Sequence, residues 1–141
     1  MAKMFIGENF KTPLARISYA QGLGKVNDDG KYAVTLIFPN ADLGPIKTAV
    51  ANVVTNQWGE KGVERFKNGL IKNPIIAGDS KSARNKQSGD LNPGMGPDVS
   101  FIRPWSKQPI KCFGPDVLPM DAADVRSGWW GFGVLTPFAW H

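Results

Sequence analysis

The sequence predicts a small, curved, mainly antiparallel β-barrel of about five strands, with one main helix between the second and third strands and long loops. Three observations carry this. Segments of strand period recur between clusters of turn formers, with no alternating βαβ units and no internal repeats. Only one stretch sustains helical spacing. Sixteen glycines and eleven prolines in 141 residues divide the chain into many turns.

Residues 1–11 read as an irregular arm. Thr12–Gln21 is the first strand, with Ala15, Ile17 and Tyr19 on one face and Leu14, Arg16, Ser18 and Ala20 on the other. Turn formers fill 22–30. Lys31–Phe38 is the clearest strand, rich in β-branched and aromatic residues. Tyr32, Val34, Leu36 and Phe38 form its apolar side; Lys31, Ala33, Thr35 and Ile37 form the other. Both tyrosines are expected in the core. Asp42 to about Trp58 is the helix: Ile46, Ala49, Val50, Val53 and Val54 share one stripe, and Trp58 falls on it. Asn40 or Asp42 caps it, Pro45 suits its first turn, and Gly59 ends it. A short helical turn follows over Lys61–Asn68. Leu70–Ala77 gives short extended pieces broken by Pro74.

Residues 78–97 have almost no apolar content and read as a long, mobile, basic loop. Val99–Trp105 alternates as a strand, with Val99, Phe101 and Arg103 on one side. Pro109–Phe113 is a short strand, Gly114–Met120 a proline-punctuated loop, and Ala122–Arg126 a helical turn or an extended link. The last strand, Gly128–Trp140, holds three of the five tryptophans. Trp130, Phe132, Val134, Thr136, Phe138 and Trp140 fall on one side; Trp129, Gly131, Gly133, Leu135, Pro137 and Ala139 fall on the other. Period alone leaves open which side is the core.

With 42% hydrophobic and 21% charged residues, the chain is one globular domain spanning 1–141. No apolar run is long enough for a membrane span, and no signal peptide is expected. A single cysteine, Cys112, fits a reducing compartment. The net charge of +5 favours a polyanionic partner. Between Arg65 and Lys86, six cations face Asp79 alone, so this window carries the whole excess.

Catalytic chemistry is not expected. The only histidine is His141, which removes histidine triads and histidine-rich metal sites. Asp28 and Asp29 sit in a turn, and Asp121 and Asp124 suit a helix start better than a metal. GLGK at 22–25 lacks the spacing of a phosphate loop. No cofactor, metal or membrane partner is expected.

What remains is aromatic and basic. Trp58 closes a helix face and reads as core. Trp105, between Arg103 and Lys107, either stacks a base while the cations meet phosphate or covers the end of the barrel. Arg16 and Lys31, with small residues between them, mark a wall with room for a strand of nucleic acid. The aromatics of the last strand either stack bases or form a core or subunit interface.

The order ARISYAQ, KYAVTLIFPNAD, a helix ending near QWG, NPIIAGDSKS and SGWWGFG…FAW resembles the bacteriophage single-stranded DNA-binding proteins once catalogued only as a domain of unknown function. The resemblance covers about residues 12–140, in pattern more than identity, and implies an OB fold. It also implies that Arg16 and Lys31 lie on the exposed wall and that the basic loop flanks the groove. Trp130, Phe132, Thr136 and Phe138 would face out, with Gly133, Leu135 and Ala139 inward. In the family the position of Phe132 is commonly polar or basic; Phe132 can stack but cannot pair with phosphate. Family members generally continue past the last strand, and many proteins of this function end in an acidic tail that recruits replication partners. The chain stops at His141, so a truncated C-terminal end is expected, with the first ten residues or a neighbouring molecule supplying a missing barrel strand.

The expected function is therefore sequence-nonspecific binding of single-stranded DNA in phage replication or recombination, in the cytoplasm of the infected bacterium. The expected partners are single-stranded DNA, further copies of the chain as a dimer or cooperative array, and replication proteins reached through a tail. The expected contacts are Arg16, Lys31, Lys72, Lys81, Arg84, Lys86, Arg103, Trp105, Lys107, Trp130, Phe132 and Phe138. The alternative is a virion structural or assembly protein whose aromatic strand is a subunit interface. A duplex or RNA ligand, and a metal enzyme built on Asp121 or Asp124, are more distant rivals.

Overall fold

The structure is a computed structural model that describes residues 4–140. His141 and the side chain of Trp140, expected on the outward face, lie outside the described residues. Three short strands open the chain: β1 (Met4–Ile6), β2 (Phe10–Lys11) and β3 (Ala15–Ser18). Then come β4 (Tyr32–Ala33), β5 (Thr35–Pro39), the helix α1 (Gly44–Lys67) and β6 (Ile76–Ala77). β7 (Val99–Ile102), β8 (Trp105–Ser106), β9 (Cys112–Phe113) and β10 (Pro119–Met120) follow. The last run is β11 (Trp130–Gly131), β12 (Val134–Leu135) and β13 (Phe138–Trp140).

Among the described residues all pairing is antiparallel. One five-stranded sheet has the order β11-β3-β5-β7-β6, and four two-stranded ladders pair β1 with β13, β2 with β12, β4 with β8 and β9 with β10. Among the described residues no ladder closes into a ring. The chain is mainly β with one helix, as expected, but a closed five-stranded barrel is not what the hydrogen bonds draw.

The ladders are less fragmented than their count suggests. β1, β2 and β3 run in turn against β13, β12 and β11. From Ile6 to Phe10 is four residues, whereas their partners Phe138 and Leu135 are three apart. From Lys11 to Ala15 is again four, against three from Val134 to Gly131. Each break is thus one extra residue on the N-terminal side, the signature of a bulge, which adds twist. Gly7 N–H donates to the Pro137 carbonyl at 2.8 Å across the first break. At the second, Thr12 N–H donates to the Gly133 carbonyl at 2.8 Å, and Gly133 N–H donates back to Thr12 Oγ1 at 3.0 Å. That exchange satisfies a hydroxyl on a residue only 3% exposed. Residues 1–11, expected to be an irregular arm, therefore hold two strands. Their partners lie at the far end of the sequence, where local pattern cannot reach.

β5 is buried on both faces. Leu36 and Phe38 join Ala15, Leu23, Ile46 and Ile102 in the main core, with Ile17, Val50 and Leu135 packed beside them. Ile37 and Phe101, directly opposite each other, form a second cluster on the reverse face with Ala83, Ile76, Met95 and Val99. Ile37, on the Lys31 side of its strand, does not face solvent: the 78–97 segment lies on it through Ala83 and Met95. A buried Ile–Phe pair needs apolar cover, and this segment supplies it although its composition is polar.

α1 carries the expected stripe at Ile46, Val53 and Val54, which are buried, whereas Trp58, expected as core, is half-buried and borders an open groove. Gly59 breaks the helix with φ 71°, so it ends there and a second helical piece continues to Lys67. Its start differs: Leu43 is the N-cap, with no side-chain cap bond. Asn40 is engaged elsewhere, accepting from Ser100 Oγ at 2.6 Å and donating to the Pro97 carbonyl at 3.0 Å. Tyr19, expected in the core, is 48% exposed, because it leaves the strand at φ 56° and Ala20 takes the inward position. The proline-punctuated loop at 114–120 contains β10 and closes a hairpin.

The turn at Gly22 gives a direct test of this packing. A Cβ there would lie 1.7 Å from the Ala33 carbonyl oxygen, whereas one at Gly44 would meet nothing within 4 Å. Gly22→Ala is expected to lower stability by about 1–3 kcal/mol, and Gly44→Ala to leave it unchanged or raise it slightly, as read from urea denaturation.

Candidate nucleic-acid interface

The last strand run settles its orientation by burial. Trp130, Phe132, Val134 and Phe138 are 55%, 56%, 66% and 41% exposed. On the other side Leu135 packs on the core and Ala139 is buried. Gly131 permits the close approach of β3, since a Cβ would stand 3.3 Å from Ile17 Cδ1. The outward row from Trp130 to Phe138 is roughly 26 Å long at strand rise.

Cations from neighbouring strands are set along this row. Arg16 sits directly opposite Trp130 in the β3–β11 ladder, so both project from one face. Lys11, opposite Val134, places its Nζ 4.0 Å from the centre of the Phe132 ring. Lys31 Nζ lies 4.0 Å from the Trp105 ring centre, and Trp105 meets Phe138 edge-on with centroids 5.8 Å apart. Ile6, Trp105, Thr136 and Phe138 line an open, nearly apolar groove of about 340 Å³ beneath that contact. Each exposed cation–ring contact contributes about 0.5–1 kcal/mol. The same geometry leaves ring faces and ammonium groups together at the surface. Such a surface can stack a planar base and neutralise the phosphate beside it.

Lys11 was not among the expected contacts. It falls in the segment read as irregular, and only its register against Val134 reveals it. The other expected residues divide. Arg103 stacks over the Phe101 ring at 5.1 Å and donates to the Ser82 carbonyl at 3.2 Å, so it ties the 78–97 segment to the sheet. Lys81 opens the short helical turn Lys81–Ala83, and Arg84 donates to the Gly89 carbonyl at 3.1 Å. Lys86 is exposed in the turn that follows, held by Asn85 N–H donating to the Asp90 carbonyl at 2.8 Å. These three stand on the segment that covers Ile37 and Phe101. Lys107 is exposed directly after β8, two residues from Trp105. Lys72 is exposed beyond the end of α1.

Among the described residues no group of His, Cys, Asp or Glu has the arrangement of a metal site. Asp121 Oδ1 accepts from Ala123 N–H at 3.0 Å, the helix-start role. Burial raises the pKa of the Cys112 thiol, and the Asp121 carboxylate raises it further. The thiol is therefore a poor nucleophile at neutral pH.

With this geometry in place, solved structures offer a comparison. The chain resembles the single-stranded DNA-binding protein from bacteriophage Enc34, C-terminal truncation, with a TM-score of 0.57 and 18% identity over 89% of this chain and 71% of that one. It resembles the same phage protein in complex with single-stranded DNA at a TM-score of 0.57 and 19% identity, over 89% of this chain and 72% of that one. No family model and no curated protein matches the chain. At this identity the likeness establishes a shared fold.

Two measurements check the site as built. Phe132→Ala is expected to lower unfolding stability by no more than about 1 kcal/mol, the worth of its contact with Lys11, while Phe101→Ala on the covered face costs about 3–5 kcal/mol. Alkylation of Cys112 should reach half its maximal rate at a pH above that of an ordinary cysteine. Below that pH the thiol stays protonated. Asp121→Asn should move the midpoint down.

Proposed function

We propose that this chain is a non-catalytic single-stranded DNA-binding protein with an OB-like fold. The observation that carries the reading is the outward row of Trp130, Phe132 and Phe138, with Arg16, Lys11 and Lys31 set against it and against Trp105. The fold is shared with a phage protein solved with single-stranded DNA, which supports the same reading. Arg16, Lys11 and Lys31 neutralise phosphates. Trp105, Trp130, Phe132 and Phe138 stack bases. Arg103, Lys81, Arg84, Lys86 and Lys107 flank the path, and Lys72 adds long-range attraction. Stacking and phosphate pairing carry little sequence information, so binding is sequence-nonspecific. Replication or recombination of phage DNA, in the cytoplasm of the infected cell, is the setting this activity suits.

Titration with poly-dT under tryptophan fluorescence tests it. We expect quenching at low salt, with log K falling linearly in log salt. Trp105→Ala and Phe132→Ala should each weaken binding by about 1–3 kcal/mol. Arg16→Ala should reduce the salt slope by about one. Absence of quenching at low salt, in a chain that instead forms a salt-insensitive oligomer through the aromatic row, would favour an assembly role.

A further inference from the structure

The β9–β10 hairpin pairs with none of the strands that carry the aromatic row. Its base is anchored: Ile110 and Cys112 pack against the main core. Its tip is apolar and exposed, with Phe113, Val117 and Leu118 at 58%, 78% and 61%. Gly114 N–H donates to the Leu118 carbonyl at 3.0 Å, and Val117 N–H donates to the Gly114 carbonyl at 2.9 Å, which fixes the turn. Val117 sits at φ 63°, a left-handed conformation that a β-branched residue rarely adopts. Glycine or asparagine would hold that turn without strain. The position thus carries backbone strain and an exposed apolar side chain together, as contact sites do. Asp116 adds a carboxylate at the tip, one oxygen accepting from Leu118 N–H at 3.2 Å.

A complementary surface lies where the end of α1 meets the segment that follows it. Trp58, Arg65, Leu70 and Ile71 line an open groove of about 550 Å³, concave and largely apolar with one guanidinium. The chain's own hairpin does not fill it, because the tip side chains are more than half exposed. A nucleic acid is a poor occupant for the tip, since Asp116 would repel phosphate.

We infer that the hairpin tip of one copy seats in the 58–71 groove of another, with Val117 and Leu118 against Leu70 and Ile71 and Asp116 paired to Arg65. Tip and groove are different surfaces, so a contact made once per pair of copies is heterologous and continues head to tail, as a ring or an open row. On the proposed reading as a DNA-binding protein, a row of copies would follow one strand and bind cooperatively. That consequence rests on the proposed function; the contact does not.

Sedimentation velocity of the DNA-free chain over a concentration series tests it. The mean size should rise with concentration. Arg65→Asp and Asp116→Arg should each weaken association by about tenfold or more, and the double exchange should restore it. Val117→Asp should abolish it while the melting temperature holds. A chain that stays monomeric throughout overturns the proposal, as does association that the single reversals leave unchanged or that the double exchange fails to restore. Since no DNA is present, a failure to bind poly-dT leaves this result independent.

Discussion

The pairing of residues 4–18 with residues 130–140 governs the rest of the molecule. Two bulges divide it into three ladders, and each shifts the register by one residue. A side chain's face in a strand is fixed by its parity, so a one-residue slip without a bulge would turn the whole set over. The bulges let the ribbon bend while keeping Trp130, Phe132, Val134 and Phe138 outward. The same ladders bring Lys11 over Phe132 and Arg16 beside Trp130. Loss of this register would remove the core contacts of Leu135 and Ala139 and the outward row together.

Much of this was legible from local pattern. The β-branched run at 31–38, the helical stripe from Ile46 to Val54 and the stop at Gly59 all depend on neighbours in sequence, and the structure has them, with the run divided at Val34 into β4 and β5. From Trp130 onward the two sides of the last strand were legible as sides, and burial decides which one faces in; Trp129, in phase with the inward side, precedes β11 and is 45% exposed. What local pattern hides is contact across the chain. Phe10 and Lys11 carry too little periodicity to declare a strand until Leu135 and Val134 stand opposite them. Lys11 was missed as a site residue for that reason. Tyr19 looked apolar and in phase, but its left-handed backbone ends the phase. Residues 78–97 read as solvent-exposed from their polarity, yet Ala83 is 0% exposed, because one small side chain suffices to sit on Phe101.

Charge reads differently in three dimensions as well. The basic window from Arg65 to Lys86 accounts for the net charge, but its members are not equivalent. Arg65 borders a groove on α1, Arg84 is spent partly on the Gly89 carbonyl, and Arg103 nearby is held by Phe101 and Ser82. The cations set on exposed rings, Lys11 and Lys31, lie outside that window. Density of charge along the sequence thus points to the molecule's field, while the placement of single lysines on rings defines the surface.

The contact between Trp105 and Phe138 joins two strands that share no hydrogen bonds: β8 pairs with β4, and β13 pairs with β1. A backbone ladder has fixed spacing and direction, and parting it strands donors and acceptors. Two rings meeting edge to face have a broad, shallow energy well. They can separate or slide by an ångström without leaving any N–H unsatisfied. The join between these two ladders is therefore compliant where each ladder is stiff, and the rings can shift there without disturbing the hydrogen bonds that hold the strands.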